Sequence, residues 1–439
     1  MRIEAMPDDS VPHAALTRYL RELPKYVVLR NEEDLFGNLQ RGGDIDLLVE
    51  DLGLAERTLI RNLGAPIRVI RSSYVNGYSY DWGHVDLLPT VEWRGACYLR
   101  TEAVLDGRQL SPRGRAVPRI AHEALISWFS SLLWGGFYKD RYAAAIRQAV
   151  DTDGRAFRQA LIEAAGKRLG IRLWQAAVDG HAETSKEWTR SLRLAVWSRA
   201  WLKSPVRTIQ RCVAFVIGAL RLRFEPPVPW IAIPGPESSG KSSLVNEIVH
   251  RFAACPYGNV QAIHWRSRFM ERAQDDPVTD SRERRSRRPI GGWRLLALAA
   301  DWLICYWTRW AHLRAKGYIL AFERTYFDVV VGHVRHPDGG GPRLGRALWS
   351  LLPKPDLVFV LDSQADVPSH RQLPAVHLLD GSSPLNAVVD QIQCVIREWM
   401  LSRSVASLGV QASTVTSPTA RAVASSNAAS SVSGTDNAR

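Results

Sequence analysis

The chain holds 439 residues, 46% hydrophobic and 23% charged, an ordinary globular composition that excludes a disulfide mini-protein, a single small module and wholesale disorder. Fifty-seven Lys and Arg against 44 Asp and Glu leave a formal charge of +13, which favours anionic partners such as nucleotides or an acidic membrane surface. Only 8 of those cations are Lys, so part of the excess reads equally as a coding preference for Arg.

Cys97, Cys212, Cys255, Cys305 and Cys394 stand far apart without a CxxC or Cys/His cluster, so neither structural zinc nor a disulfide framework is expected. A reducing cytoplasm is the expected location. The N-terminus lacks the apolar core of a secretory signal, and no window reaches the ~18 uninterrupted apolar residues of a span, so a membrane crossing is not expected.

In chain order, YVVLRN from Tyr26, then DIDLLVE and HVDLLPT, are short β-rich runs around an amphipathic stretch near Leu54 to Leu63. They predict an α/β domain over residues 1–110. Helical periodicity takes over from about Ile120 to Arg223 and predicts a helical connector over 111–228. Pro226, Pro227 and Pro229 punctuate its end. A second α/β domain is predicted over 229–405. The Ser, Ala and Thr of 406–439 bury too little to offset chain entropy, which predicts a disordered tail.

The run WIAIPGPESSGKSSLVNEIVHRF carries the strongest chemical signal. A β-like segment enters GPESSGKS, in which Gly235, Gly240, Lys241 and Ser242 satisfy GxxxxGK[ST], and an amphipathic helix follows. Backbone N–H groups from Gly235 through Ser238, Ser239, Gly240, Lys241, Ser242 and Ser243 are expected to turn around phosphate oxygens at a helix N-terminus. Lys241 is expected on the β- and γ-phosphates of ATP, and the Ser242 hydroxyl on Mg²⁺. No other lysine lies between Lys203 and Lys316, as suits a required point charge in a lysine-poor chain.

These residues resemble the thymidylate kinase family of P-loop kinases, which implies a P-loop NTPase parallel sheet for the C-terminal domain. Glu237 occupies the loop's acidic position, which in the family faces the phosphoryl acceptor, and Ser238 replaces a Gly. LLALAADWLICYWTRWAHLRAKGYILAFERTYFD is similar to the family's long helix and strand ending in Asp-Arg, written here Glu323-Arg324. The resemblance implies that Glu323 orients Mg²⁺ water or an acceptor hydroxyl and that Arg324 clamps an acceptor phosphate. PDLVFVLD, Pro355 to Asp362, and AVHLLDGSSPLNAVVDQIQCVIREW continue the likeness to about Met400. Between Asp362 and Ala375 the family's Arg-bearing lid is shortened, with Arg371 its one candidate. The run SRERRSRRP, Ser281 to Pro289, reads as a solvated loop, as an anion-binding flap or as a nucleic-acid contact, and Arg266 and Arg268 as acceptor-side or structural cations. Without interleaved aromatics, nucleic acid is not an expected partner.

In the N-terminal domain, GGDIDLLV sets Asp44 and Asp46 at i and i+2 of a strand, on one face, and HVDLLP adds Asp86. Three carboxylates brought together hold two Mg²⁺ ions for attack on an α-phosphate. The pattern resembles minimal nucleotidyltransferases of the DNA polymerase β superfamily, although LFGNLQRGG, with Gly37 and Arg41, replaces the Gly-Ser turn. The domain order resembles that of bacterial proteins tied to surface polysaccharide assembly.

Between the domains, EWTRSLRLAVWSRAWLKSPVRTIQRCVAFVIGALRLRF mixes Trp188, Trp197 and Trp201 with Arg and Lys at helical spacing. Core packing with snorkelling Arg stems is the expectation, and peripheral contact with an anionic membrane is the alternative. The expected activity is ATP- and Mg²⁺-dependent phosphotransfer to a small phosphorylated acceptor, a nucleotide first. The alternatives are a nucleotidyltransferase regulated by an ATP-binding P-loop domain and a nucleotide-binding scaffold without turnover.

Overall fold

The computed structural model describes residues 10–30, 44–234, 240–265, 292–323, 325, 326, 347, 348, 350–362 and 376–409. Helix α1 (Ser10–Glu22) and strand β1 (Tyr26–Arg30) precede β2 (Asp44–Val49), α2 (Leu52–Leu63), β3 (Arg68–Arg71), β4 (Asn76–Tyr80) and β5 (Gly83–Leu88). Their sheet runs β1-β2-β5-β4-β3, with β2 and β5 parallel and the other neighbours antiparallel. Period-two alternation in β2 sends Ile45, Leu47 and Val49 into a core with Leu16 and Tyr19 of α1 and Leu59 of α2. Asp51 caps α2, its carboxylate accepting from the Leu54 amide at 2.9 Å.

The other face of this sheet is divided. Asp44 and Asp46 lie at one end, while Leu48 joins Val27 and Leu29 in a core with Trp128, Phe129 and Phe157. Those rings come from α4 (Ile120–Ser130) and α5 (Ala143–Ala165), which follow the hairpin β6 (Val91–Trp93) and β7 (Ala96–Leu99), α3 (Thr101–Asp106), and β8 (Gln109–Leu110) with β9 (Ala116–Val117). The boundary drawn at residue 110 therefore divides one continuous core. Helices α6 (Lys167–Val178) and α7 (Thr189–Lys203) pack on the same core through Leu173, Leu192 and Val196.

Helix α8 (Pro205–Phe224) departs from the expected core packing, since Thr208 is its one buried residue. Its inward side is built from small or polar groups: Thr208 donates to the Ala200 carbonyl at 2.9 Å and Cys212 Sγ lies 3.5 Å from the Arg94 carbonyl. Its larger aliphatic side chains are left outward.

The second α/β unit comprises β10 (Trp230–Ala232), α9 (Lys241–Phe252), β11 (Asn259–Ile263), α10 (Gly292–Cys305), a π-helical turn at Tyr306–Trp310, α11 (Ala311–Ala315), β12 (Tyr318–Phe322), β13 (Leu357–Asp362), β14 (Val376–Asp380) and α12 (Leu385–Leu408). Its five strands are parallel, in the order β11-β12-β10-β13-β14. Both faces are covered, as the nearly unbroken apolar runs YILAF and LVFVL require. Ile231, Ala321 and Phe359 pack with Ile248 of α9 and Ile392 of α12. On the other face Trp230, Leu320 and Phe322 pack with Trp302 and Trp310.

At the N-terminal edge of this sheet, buried Arg314 pairs with Asp356 at 2.5 Å and donates to the Val228 carbonyl at 3.1 Å. The same Asp356 oxygen accepts from the Trp230 amide at 2.8 Å. Helix α12 runs to Leu408, three residues past the boundary at 405, so the tail expected from 406 begins inside a helix. It continues because Ser404 bonds the Ile67 carbonyl at 3.0 Å and Leu408 packs on the N-terminal core. Arg397 also reaches Asp81 at 2.8 Å, tying the second unit to the first. Among the described residues, no helix is long and apolar enough to cross a membrane.

Candidate functional site

In the parallel sheet the strand order reverses at β10, between β12 and β13. Ligands of open α/β sheets bind outside the carboxyl ends of strands at such a point. Register then fixes which side chains gather there. Ala232 pairs with Phe322, and Phe322 with Ile263, so the next residues along two of these strands, Glu323 and His264, fall side by side.

Glu323 is about nine-tenths buried, and one of its carboxylate oxygens receives two neighbours. The Ser242 hydroxyl donates to it at 3.0 Å, and His264 Nδ1 lies 3.0 Å away. Donation by His264 requires the tautomer, or the imidazolium, with a proton on Nδ1. Ser242 reaches this oxygen because Gly240, at φ 79°, turns the chain into α9 and leaves Lys241, Ser242 and Ser243 in its first turn. Lys241 is half-buried there, while Ser242 and Ser243 are exposed. The N–H groups that a helix's first turn presents at its end, together with the helix dipole, favour an anion at this spot.

Of the loop named from the sequence, Gly235, Glu237, Ser238 and Ser239 lie outside the described residues, as do Arg324, Arg266, Arg268, the arginines of 282–288 and Arg371. The described part brings together Lys241, Ser242 and Glu323. Sequence reasoning missed His264. Its signal was its place immediately after an apolar β-like run, in the same HWRSRF segment from which Arg266 and Arg268 were chosen.

The N-terminal acids share one face of their sheet. Asp46 pairs in register with Asp86, and Asp44 with His84, on parallel β2 and β5. Asp46 is buried, Asp44 exposed and Asp86 half-buried. A chain of polar contacts crosses from Asp86: its carboxylate lies 2.9 Å from His84 Nε2, His84 Nδ1 lies 2.8 Å from Ser79 Oγ, and Arg68 Nε donates to that oxygen at 3.1 Å. Burial pulls the Arg68 pKa down to about 10, against the opposing pull of Asp86 and Asp44, so the guanidinium stays charged at neutral pH. Gly77 makes room for the chain, since a Cβ there would come within 2.9 Å of His84 Nε2 and Asp86 Oδ1. The three acids named from the sequence thus share one face, and among the described residues no group of three His, Cys, Asp or Glu side chains is arranged to hold a metal. His84 was legible at i−2 from Asp86, on the same face of the strand.

No family model matches the chain, and a comparison with curated proteins finds no match.

Proposed function

We propose that the C-terminal unit is a P-loop phosphotransferase of thymidylate kinase type, moving the γ-phosphoryl group of ATP to a small phosphorylated acceptor, a nucleotide first. The observation that carries this reading is the Ser242–Glu323 hydrogen bond at the switch point of a five-stranded parallel sheet, directly behind GxxxxGKS. A serine hydroxyl and a carboxylate 3.0 Å apart are hard oxygen donors, the chemistry that suits Mg²⁺. Ser242 and Glu323 would hold that ion, which when bound neutralises charge on the β- and γ-phosphates. In this reading Lys241 pairs with those phosphates, and residues 235–243 cradle them. His264 fixes the Glu323 carboxylate. Glu237 and Arg324 face the acceptor, with Arg324 clamping its phosphate. Such a site needs little covalent chemistry, because positioning and charge neutralisation lower the barrier.

The test has two parts. Lys241→Ala should weaken ATP binding by about tenfold or more in calorimetry, the worth of one charge-assisted phosphate contact. Across nucleoside and sugar monophosphates, one acceptor class should stimulate ADP formation, and Glu323→Gln and Arg324→Ala should each abolish that stimulation. ATP binding unchanged by Lys241→Ala in a folded protein refutes the phosphate loop. Tight ATP binding with no acceptor response favours the scaffold.

The in-register pair Asp46 and Asp86 supports a second reading, nucleotidyl transfer at the N-terminal sheet with ATP binding as its regulator. Pyrophosphate release that requires Asp44, Asp46 and Asp86 but not Lys241 would favour it.

A further inference from the structure

Helix α8 carries its large aliphatic side chains on the wrong side for a core helix. Val206, Ile209, Val213, Val216, Ile217 and Leu220 are all exposed, Ile217 by 60%. At 100° per residue these positions, with Phe224, fall within an arc of about 100°, the width of a core-facing stripe. The opposite side of the helix is the one that meets the protein, through Thr208, Cys212 and Phe215. A second outward stripe runs along α10 through Trp293, Leu296, Leu303 and Ile304, with Trp293 81% exposed. The two meet where Phe224 packs against Trp307 at 5.1 Å between ring centroids. On neighbouring α7, Trp197 and Trp201 stack at 6.2 Å and both are exposed. Monomeric proteins rarely leave an apolar surface of this extent uncovered.

Charge decides among the occupants. From 189 to 224 the chain carries eight cations, Arg190 through Arg223, and no acid. On α8, Arg207 and Arg221 fall to one side of the apolar arc and Arg223 to the other. A second copy of the chain would set the same cationic patch against itself, because a two-fold interface joins identical surfaces. The residues of 410–439 include no apolar side chain larger than Val and would fill the stripe poorly. An anionic bilayer answers every feature at once. Aliphatic side chains enter the acyl boundary, indoles sit at headgroup depth, and flanking arginines reach lipid phosphates. The 20 residues of α8 would lie along the surface for about 30 Å, in the plane of the membrane.

We propose that α8, continued by the exposed stripe of α10, docks the protein on an anionic lipid surface as a peripheral, non-spanning contact. Neither the phosphate loop nor the N-terminal acids take part, so the proposal stands apart from the phosphotransferase reading.

The experiment is flotation of the full chain with vesicles of phosphatidylcholine alone or of equal parts phosphatidylglycerol and phosphatidylcholine, with light scattering for oligomeric state. The wild type should float with the anionic vesicles and not the neutral ones, and raised salt should weaken it. Val213→Asp with Ile217→Asp should weaken binding about tenfold or more. Arg207→Gln and Arg223→Gln should each weaken it about fivefold. Val213, Ile217 and Arg207 are exposed and Arg223 is half-buried, so the variants should keep a melting temperature close to that of the wild type; if the Asp pair melts early, Val213→Ser with Ile217→Ser carries the same test. A wild type that floats with neither vesicle overturns the proposal, as does binding that the apolar variants leave intact. A stable dimer that these variants convert to monomer, without vesicle binding, overturns it in favour of self-association.

Discussion

The two sheets handle polar residues in opposite ways. In the three central strands of the parallel sheet, β12, β10 and β13, the interiors are apolar on both faces, and polar side chains gather at the ends: Ser242, Glu323 and His264 at the carboxyl edge, Arg314 and Asp356 at the other. In the mixed sheet the polar groups run from strand to strand across one face, from Asp46 and Asp86 through His84 and Ser79 to Arg68. An edge group can turn towards a ligand without disturbing the core. A group on the face is tied to its cross-strand neighbours, and changing one disturbs the next. On the proposed reading the parallel sheet separates function from stability, whereas in the mixed sheet the two would share residues.

The largest expected effect tests that separation at the stability end. Arg314 is buried, and its charge is answered by Asp356 and the Val228 carbonyl. Arg314→Ala leaves a carboxylate of the β13 edge without its cation, at a cost of about 3–5 kcal/mol, measured by urea unfolding. Arg68→Ala in the mixed sheet should cost less, about 1–3 kcal/mol, because this guanidinium donates mainly to a hydroxyl and the Gly317 carbonyl rather than to a carboxylate. Equal losses would erase the contrast between the two sheets.

Next in size is the functional edge. Glu323→Gln keeps the shape and removes the charge, so stability should change little while acceptor-stimulated turnover falls about 10²–10³-fold, the usual cost of losing one charge-stabilising group. A large drop in melting temperature for this variant would show that the carboxyl edge is structural after all.

The comparison also explains what could be read from the chain. Strand-end chemistry was legible wherever a motif marked it: GKSS located Lys241 and Ser242, and the resemblance of Glu323-Arg324 to a strand-end Asp-Arg pair pointed to Glu323. His264 carried no motif. It joins the site through the pairing of Ile263 with Phe322, a register between strands far apart in sequence. On the mixed sheet, period two placed Asp44, Asp46 and Asp86 on one face, but the contacts of Asp86 depend on β4, whose Ser79 and Gly77 gave no separate sign. The exposure of α8 was hidden for a related reason. Apolar and basic residues at helical spacing fit a core stripe or a surface stripe equally, and only the neighbours decide which.

A smaller test addresses the crowded face directly. Gly77→Ala places a methyl group within 2.9 Å of His84 Nε2 and Asp86 Oδ1, so one of them must move and their hydrogen bond weakens. Unfolding should lose about 1–3 kcal/mol, with ATP affinity of the parallel-sheet unit unaltered. A neutral result would mean that the polar chain across the face is loose enough to give way freely.

The smallest effect separates the two halves by acid. Burial pushes the His122 imidazole of α4 below its ordinary value, helped by the Arg119 charge and opposed by Asp153 and Glu163, and its Nδ1 is buried without a hydrogen-bond partner. Burial also lowers His377 of β14, against the opposing pull of Glu398, with its ring 5.4 Å from that of Phe359. A histidine held neutral in the fold binds fewer protons than the same residue in the unfolded chain once pH drops below about 6.5. Each therefore contributes stability above that pH which is lost as pH falls through the window between the unfolded and the folded value. Replacing His122 with Phe should flatten the acid side of the stability curve for the core shared by the mixed sheet and the helices, while the parallel-sheet unit keeps its slope. His377→Phe should do the reverse. Urea midpoints across pH 7 to 5, followed by tryptophan emission and by ATP binding, resolve the two. The halves meet at α12, at the Arg68 contact and at the Phe224–Trp307 pair; if they unfold independently each substitution should move one transition, and a common shift of both would show that they unfold as a single cooperative unit.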